Sequence, residues 1–290
     1  MTVAEITHIL SAVYPPQEAQ DLAFWLLEEL TGLSRADISA GKGTKNISNI
    51  EIFLSRLLKK EPIQYIFGHT LWFGLDLLVN SDTLIPRPET AELVELVLKT
   101  LTTYEQNLTT NDQRPTTILD IGTGSGCIAL KLKQRRPDWN VIGLDISESA
   151  LSIARQNAHR NNLDVNFIHG DILANINCQL SIPSDRSPKE IRTINCIVSN
   201  PPYICDSEKA DMDSNVLDYE PHTALFVPDD DPLRFYRAIT AIHAPWLFFE
   251  VNSRFASDVA QLMTDNGYSD VTIHNDIYGK QRMVSGRSAI

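Results

Sequence analysis

The chain has 290 residues, 43% of them apolar, which is enough to bury one large core and a smaller one and rules out a disordered or fibrous protein. A formal net charge of −12 argues against a surface built to grip a phosphate backbone. Cys127, Cys178, Cys196 and Cys205 show neither CxxC spacing nor scaffold density, and the histidines form no HxxxH or HExxH, so free thiols and no metal are expected. The N-terminal stretch is no basic-then-apolar leader, and no run approaches about 18 uncharged apolar residues, so the expectation is a cytoplasmic protein without a membrane span.

Residues 1–62 are expected to form a small helical domain. Ile6, Ile9, Leu10 and Val13 recur at helical spacing, as do Leu22, Trp25, Leu26 and Leu30. Gly41-Lys42-Gly43-Thr44 interrupts the pattern, Ile50, Phe53, Leu54, Leu57 and Leu58 resume it, and Pro62 closes it. A stabilising cap and a substrate-recognition element are equally compatible with these helices. Residues 63–85 place aromatic and β-branched runs between Gly68 and Gly74, which predicts a β-hairpin linker. Residues 86–290 then make up the main domain. Ile85-Pro86-Arg87-Pro88-Glu89-Thr90 leads into a helix through Leu93, Val94, Val97 and Leu98, and 102–115 reads as a loop.

Beyond that loop, strands alternate with helices. Strands are expected at 117–121, 140–144, 165–168, 195–199, 246–251, 270–273 and 282–285, with helices near 127–135, 148–160, 233–243 and 254–265. The predicted fold class is α/β: a mostly parallel seven-stranded sheet covered on both faces, preceded by the helical domain and the hairpin. Residues 175–192, with Pro183 and Pro188, read as a surface insertion.

Asp120-Ile121-Gly122-Thr123-Gly124-Ser125-Gly126-Cys127 follows the first of these strands and enters a helix. A dinucleotide fingerprint would put Gly at position 127, and a nucleotide-phosphate loop would end in Gly-Lys-Ser/Thr; neither holds. A ligand without phosphates fits better, with Gly122, Thr123, Gly124 and Gly126 against it. Asp145 ends the next strand and suits two ribose hydroxyls, which alone would serve NAD equally well. Asp171 follows the third strand within reach of an adenine amino group, and Asp120 suits a methionyl ammonium. These expectations converge on S-adenosylmethionine, for which no activated nucleophile is needed: the sulfonium carries the leaving group, and the protein must align the reacting atoms.

Asn200-Pro201-Pro202-Tyr203 leaves the fourth strand. Two prolines remove two backbone donors, so the Asn200 side-chain oxygen and the Pro201 carbonyl offer two acceptors, a match for the two hydrogens of a planar NH₂. Tyr203 can stack on a flat target or lie near the sulfonium. Catalytic roles therefore fall to Asn200, Pro201 and Tyr203, substrate contact to these and Pro202, and Asn200 borders the cofactor as well.

The chain resembles the protein-(glutamine-N5) methyltransferases that modify peptide chain release factors. The resemblance rests on Ile85 to Thr90, Asp120 to Gly126, Asp145, Gly170-Asp171, Asn200 to Tyr203, Tyr219-Glu220-Pro221 and Tyr278-Gly279-Lys280-Gln281-Arg282. It implies a Rossmann-like class I methyltransferase that uses S-adenosylmethionine and acts on the glutamine of a release factor's Gly-Gly-Gln motif. It also implies a release-factor-binding helical domain and places Arg87 and Glu89 near the cleft. Ala91, Asn252 and Phe226-Val227-Pro228-Asp229 stand where the family usually has other residues. A monomer is expected, with no stably bound nucleic acid and no membrane. The rivals are an adenine-N6 nucleic-acid methyltransferase, an enzyme for another protein's glutamine, and a non-catalytic donor-binding scaffold. Nine acidic side chains between 205 and 231, against Lys209 alone, weigh against the first and suggest steering of a basic partner.

Overall fold

The computed structural model describes residues 1–42, 47–106, 116–174, 183–184, 187–191 and 194–288. Gly43, Thr44, the 107–115 part of the expected loop, Cys178 and most of the 175–192 insertion lie outside the described residues. The chain divides into two compact units, Met1–His69 with Met212–Glu220, and Thr70–Asp211 with Pro221–Ile290.

The first unit is helical. Helix α1 (Val3–Leu10) starts on a reciprocal cap, in which the Glu5 N–H donates to the Thr2 hydroxyl and the Thr2 N–H donates to the Glu5 carboxylate. Helix α2 (Pro16–Thr31) takes proline at its first position, where the missing N–H costs nothing, and stops at Gly32 in the left-handed conformation. Helices α3 (Arg35–Ser39) and α4 (Ile50–Leu57) follow. Residues Ile63–Phe67 then form α5, one helical turn, where a strand was expected. Pro62 enters it at φ −56° and Gly68 closes it at φ +76°, and this punctuation outweighs the β preference of the residues between. The buried stripe of α2 also differs from expectation. Ala19, Ala23, Leu26 and Leu27 face the core, whereas Leu22, Trp25 and Leu30 pack at its edge. Small alanines let Ile6, Leu10, Leu54, Leu57, Ile63 and Ile66 close around them. A later helix, α9 in chain order (Ser214–Tyr219), joins this unit, and the Tyr219 hydroxyl donates to the Lys59 carbonyl at 3.0 Å.

A hairpin of β1 (His69–Trp72) and β2 (Leu75–Leu78) precedes the large sheet. Its turn is Phe73-Gly74, both at positive φ, the conformation that two-residue hairpin loops use. Helix α6 (Pro88–Gln106) runs beyond the expected boundary into the stretch read as loop, because Leu101 still buries against the core. Strand β3 (Thr117–Ile121), helix α7 (Cys127–Arg135), strand β4 (Asn140–Asp145), helix α8 (Glu148–Arg160) and strand β5 (Asn166–His169) come next. A ribbon of β6 (Pro183–Ser184) and β7 (Ser187–Ile191) lies in the insertion. The remaining elements are β8 (Cys196–Ser199), β9 (Ile204–Cys205), β10 (Phe226–Val227), α10 (Arg234–Thr240), β11 (Trp246–Glu250), α11 (Ala256–Asp265), β12 (Tyr268–Asn275) and β13 (Gln281–Ser288).

The sheet has seven strands in the order β12-β13-β11-β8-β3-β4-β5. It is parallel from β11 to β5, and β13 and β12 complete it antiparallel. Alternation along the strands sorts side chains into two cores. Ile118, Cys196, Val198 and Phe248 pack with α6, α7 and α8, while Leu119, Ile197, Leu247 and Phe249 pack with α10 and α11. By that alternation Asp120 and Glu250 point into the first of these faces, at the strands' C-terminal ends.

Candidate active site

Strand order reverses at β3. The chain steps outward through β4 and β5 and then returns to β8 on the other side of β3. Loops leaving the C-terminal ends of β3 and β8 therefore diverge and open a crevice, where open sheets of this kind take ligands. The glycine loop leaves one lip and Asn200-Pro201-Pro202-Tyr203 the other. They sit close together: a Cβ placed on Gly122 would come 4.0 Å from the Asn200 carbonyl oxygen.

The loop's shape depends on its glycines. Gly122, Gly124 and Gly126 have φ of +72°, +53° and +83°, values a side chain would strain. The Gly122 and Thr123 N–H groups both donate to the Leu144 carbonyl, at 2.8 and 3.0 Å, which folds the loop over the end of β4. Asn157 of α8 is fully buried; its amide nitrogen donates to the carbonyls of Ser125 and Leu78 and its oxygen accepts from the Leu78 N–H. One side chain thus ties the loop to the hairpin, a role that its place in the sequence did not reveal.

Asp120 is fully buried. Its Oδ2 accepts from the Thr123 hydroxyl at 2.6 Å and the Ala129 N–H at 3.2 Å, whereas its Oδ1 has no hydrogen-bond partner. Burial pushes this carboxyl up to about 7, against the pull of those two donors. An orphaned buried oxygen on a carboxyl that resists ionisation fits an incoming cation such as an ammonium. Burial, followed by the nearby Asp120 charge, also pushes the Cys127 thiol up to about 12, which leaves it inert.

Asp145 ends β4. Its Oδ2 accepts from the Gly124 N–H at 2.8 Å and its Oδ1 from the Ser147 N–H at 2.9 Å, and burial raises its carboxyl despite these bonds. Each oxygen keeps a further acceptor position, enough for vicinal hydroxyls. Gly170 donates its N–H to the Asp145 carbonyl at 2.9 Å, which brings the exit of β5 alongside, and Asp171 caps that exit by accepting from the Leu173 N–H at 2.8 Å. Asp120, Asp145 and Asp171 thus line three successive strand exits, a set of acceptors suited to the ammonium, hydroxyl and amino groups of an amino-acid-bearing nucleoside.

On the other lip, Ser199 anchors β8 by donating to the Ile121 carbonyl at 2.7 Å. The Asn200 amide nitrogen donates to the Thr90 hydroxyl at 3.2 Å, and that hydroxyl donates to Glu250 Oε2 at 2.8 Å. The Tyr203 phenol donates to Glu250 Oε1 at 3.3 Å, and burial raises the phenol far beyond its ordinary range. Glu250 is buried and pushed up to about 7 by that burial, with Thr90, Tyr203 and the Arg282 charge pulling the other way. The charges of Arg87 and Glu89 are felt at Tyr203 and Glu250, and the Arg87 carbonyl accepts from the Trp72 indole at 2.8 Å, so both residues stand on this side of the crevice. Thr90 and Glu250 were missed as site residues. The signal was present in Trp246–Glu250, where a lone carboxylate ends an apolar strand.

The residues that depart from the family pattern are built in locally. The Asn252 amide nitrogen donates to the Tyr203 carbonyl at 3.4 Å and to Glu208 at 3.2 Å. Phe226–Val227 forms β10, parallel to β9 directly after Tyr203, and Asp229 accepts from the Ser207 hydroxyl and N–H. Ala91 packs at the edge of the first core. The acidic stretch is locally partnered in several places: Asp206 pairs with Lys209 and Asp231 with Arg237. Among the described residues, no cluster of His, Cys, Asp and Glu is arranged to hold a metal, and no helix is long and apolar enough to cross a membrane.

Residues 2–68 match the PrmC N-terminal domain family and residues 112–214 a methyltransferase domain family. The chain is 39% identical over 97% of its length to the release factor glutamine methyltransferase of Bacteroides thetaiotaomicron, and covers 97% of that protein. It is 37% identical to that of Flavobacterium psychrophilum, with 97% of this chain and 95% of that one aligned. Among solved structures, the human methyltransferase 10 domain containing protein shares the fold at a TM-score of 0.53 and 15% identity, over 75% of this chain and 90% of that one.

Proposed function

Because the chain belongs to the release factor glutamine methyltransferase family, we propose that it methylates the side-chain amide nitrogen of the glutamine in a release factor's Gly-Gly-Gln motif, using S-adenosylmethionine. One observation carries the reading. The glycine loop and the Asn-Pro-Pro-Tyr tip meet across the strand-order reversal, with Gly122 beside the Asn200 carbonyl. A donor loop and an amide clamp on one crevice have a common purpose in group transfer.

The donor's residues are Asp120 for its ammonium, through the unpartnered Oδ1, Asp145 for its ribose, Asp171 for its adenine, and the backbone at Gly122, Thr123, Gly124 and Gly126. When bound, the donor supplies a methyl group on a sulfonium, so the protein need not activate the leaving group.

The acceptor is the difficult partner, since an amide nitrogen shares its lone pair with its carbonyl. Asn200 Oδ1 and the Pro201 carbonyl take its two hydrogens, which fixes the nitrogen and turns its lone pair toward the methyl. Fitted dipoles of this kind contribute several kcal/mol by alignment and by not having to reorganise. No base is required before transfer, because the nitrogen sheds its proton afterwards. Pro201 and Pro202 keep competing backbone donors out of the clamp, and Tyr203 walls it. Residues 1–62 serve release-factor recognition, 63–85 link the two parts, and 86–290 carry the chemistry, in a cytoplasmic monomer that holds no nucleic acid.

The test is transfer of labelled methyl to a recombinant release factor and to the same factor with its Gly-Gly-Gln glutamine replaced. Label in the first alone is expected. Equal labelling of both overturns the acceptor, and label on an adenine-containing nucleic acid instead would revive the nucleic-acid reading.

A further inference from the structure

The Asn200–Thr90–Glu250 chain has a direction imposed by its chemistry. A threonine hydroxyl has one hydrogen, and Glu250 accepts at both of its oxygens, at Oε2 from Thr90 and at Oε1 from the Tyr203 phenol. The Thr90 hydrogen therefore goes to Glu250 at 2.8 Å, and the Thr90 oxygen is left to accept at 3.2 Å, which only the NH₂ end of Asn200 satisfies. The Asn200 carboxamide then has a single orientation, with Oδ1 turned away from Thr90. Without this chain nothing ties the nitrogen end of the carboxamide to Thr90, and the end that faces the acceptor amide need no longer be the oxygen.

Glu250 is held firmly enough to set that direction. Its strand pairs with β8 at Phe249↔Ser199 and with β13 at Glu250↔Met283, and its carbonyl accepts from the buried Tyr236 hydroxyl at 3.1 Å. Its second oxygen is occupied by the Tyr203 phenol. The Arg282 charge on β13 favours the ionised form of Glu250, while its own Nε lies 3.6 Å from Asp276 Oδ2.

We propose that Glu250 is a positioning residue that, through Thr90, locks the Asn200 carboxamide with its oxygen facing the acceptor amide. This rests on the reading of Asn200 as the amide clamp. Thr90 and Glu250 touch neither donor nor acceptor; they remove the wrong rotamer and contribute to alignment, where a misplacement of about 1 Å can cost roughly 100-fold.

The experiment is single-turnover methyl transfer to a recombinant release factor, with donor affinity measured by calorimetry, on Thr90→Val, Thr90→Ser, Glu250→Gln, Asn200→Ala and the double variant Thr90→Val/Asn200→Ala. Thr90→Val is expected to lower the rate about 30-fold with donor Kd unchanged, and Thr90→Ser, which keeps the hydroxyl, to restore it to within about threefold. In the double variant the valine should add no further loss, since it acts only through Asn200. Should the valine variant fail to fold, Glu250→Gln carries the test: its rate should fall about tenfold with an unchanged Kd. A Thr90→Val rate within twofold of the parent, or additive losses in the double variant, overturns the proposal while Asn200→Ala remains defective. If Asn200→Ala itself retains full rate, the clamp reading falls and this proposal with it.

Discussion

Asp120 and Glu250 are two buried carboxyls on the same face of one sheet, both pushed up to about 7 by burial, yet wired differently. Asp120 spends one oxygen on Thr123 and Ala129 and leaves the other unpartnered, while Glu250 spends one on Thr90 and the other on Tyr203. An unsatisfied buried oxygen carries a desolvation cost that a ligand can relieve; a satisfied one has no such capacity and serves to orient its neighbours. Under the proposed function, the first lip of the crevice receives and the second aims.

The largest expected effect lies on the aiming side. Asn200→Ala should reduce kcat by about 1,000-fold and leave donor affinity within about twofold, because a clamp acts in transfer rather than in donor binding. Turnover near the parent level would break the distinction between the lips. Asp120→Asn should do the reverse. It keeps an acceptor for Thr123 and Ala129 but removes the charge, so donor Kd, measured by calorimetry, should rise about 30-fold, while turnover at saturating donor changes less. Equal losses in kcat and affinity would show that the two lips are not separable.

A smaller effect is the response of stability to pH. Asp120, with an ordinary value of 3.8, is raised to about 7 in the folded chain, so the folded state holds that proton more tightly than the unfolded state. Its contribution is present at low pH and is lost as pH rises toward about 7. Melting of the donor-free protein should accordingly show Asp120→Asn level with the parent near the low end and relatively more stable on the alkaline side. Parallel melting curves across that range would mean that Asp120 is ionised throughout.

Much of the fold could be read from local pattern. Strand 117–121, the helices at 127–135 and 148–160 and the strand at 246 all appear where periodicity placed them, because a buried parallel strand needs a short apolar run whatever surrounds it. Local reading failed where punctuation or packing intervened. Ile63–Phe67 became a helical turn because Pro62 and Gly68 bracket it, and α6 outran its expected end because Leu101 had a core to meet. Among the candidate site residues, the positions of Asp120, Asp145, Asp171 and Asn200 at strand exits were legible, because each lies at or just beyond the C-terminal end of a strand. Thr90, Asn157 and Glu250 were not, since each matters through a partner distant in the chain: Thr90 and Glu250 bond across 160 positions, and Asn157 bonds Leu78 across 79.

By itself, then, the sequence determined which strand exits carry the glycine loop and the Asn-Pro-Pro-Tyr tip, because both restrict their own backbones wherever they lie. Only the tertiary structure decided which carboxyl was left open and which was saturated. That depends on whether a donor from another element arrives at each oxygen, and sheet order and helix packing bring Thr90 to Glu250 across 160 positions and Tyr203 across 47.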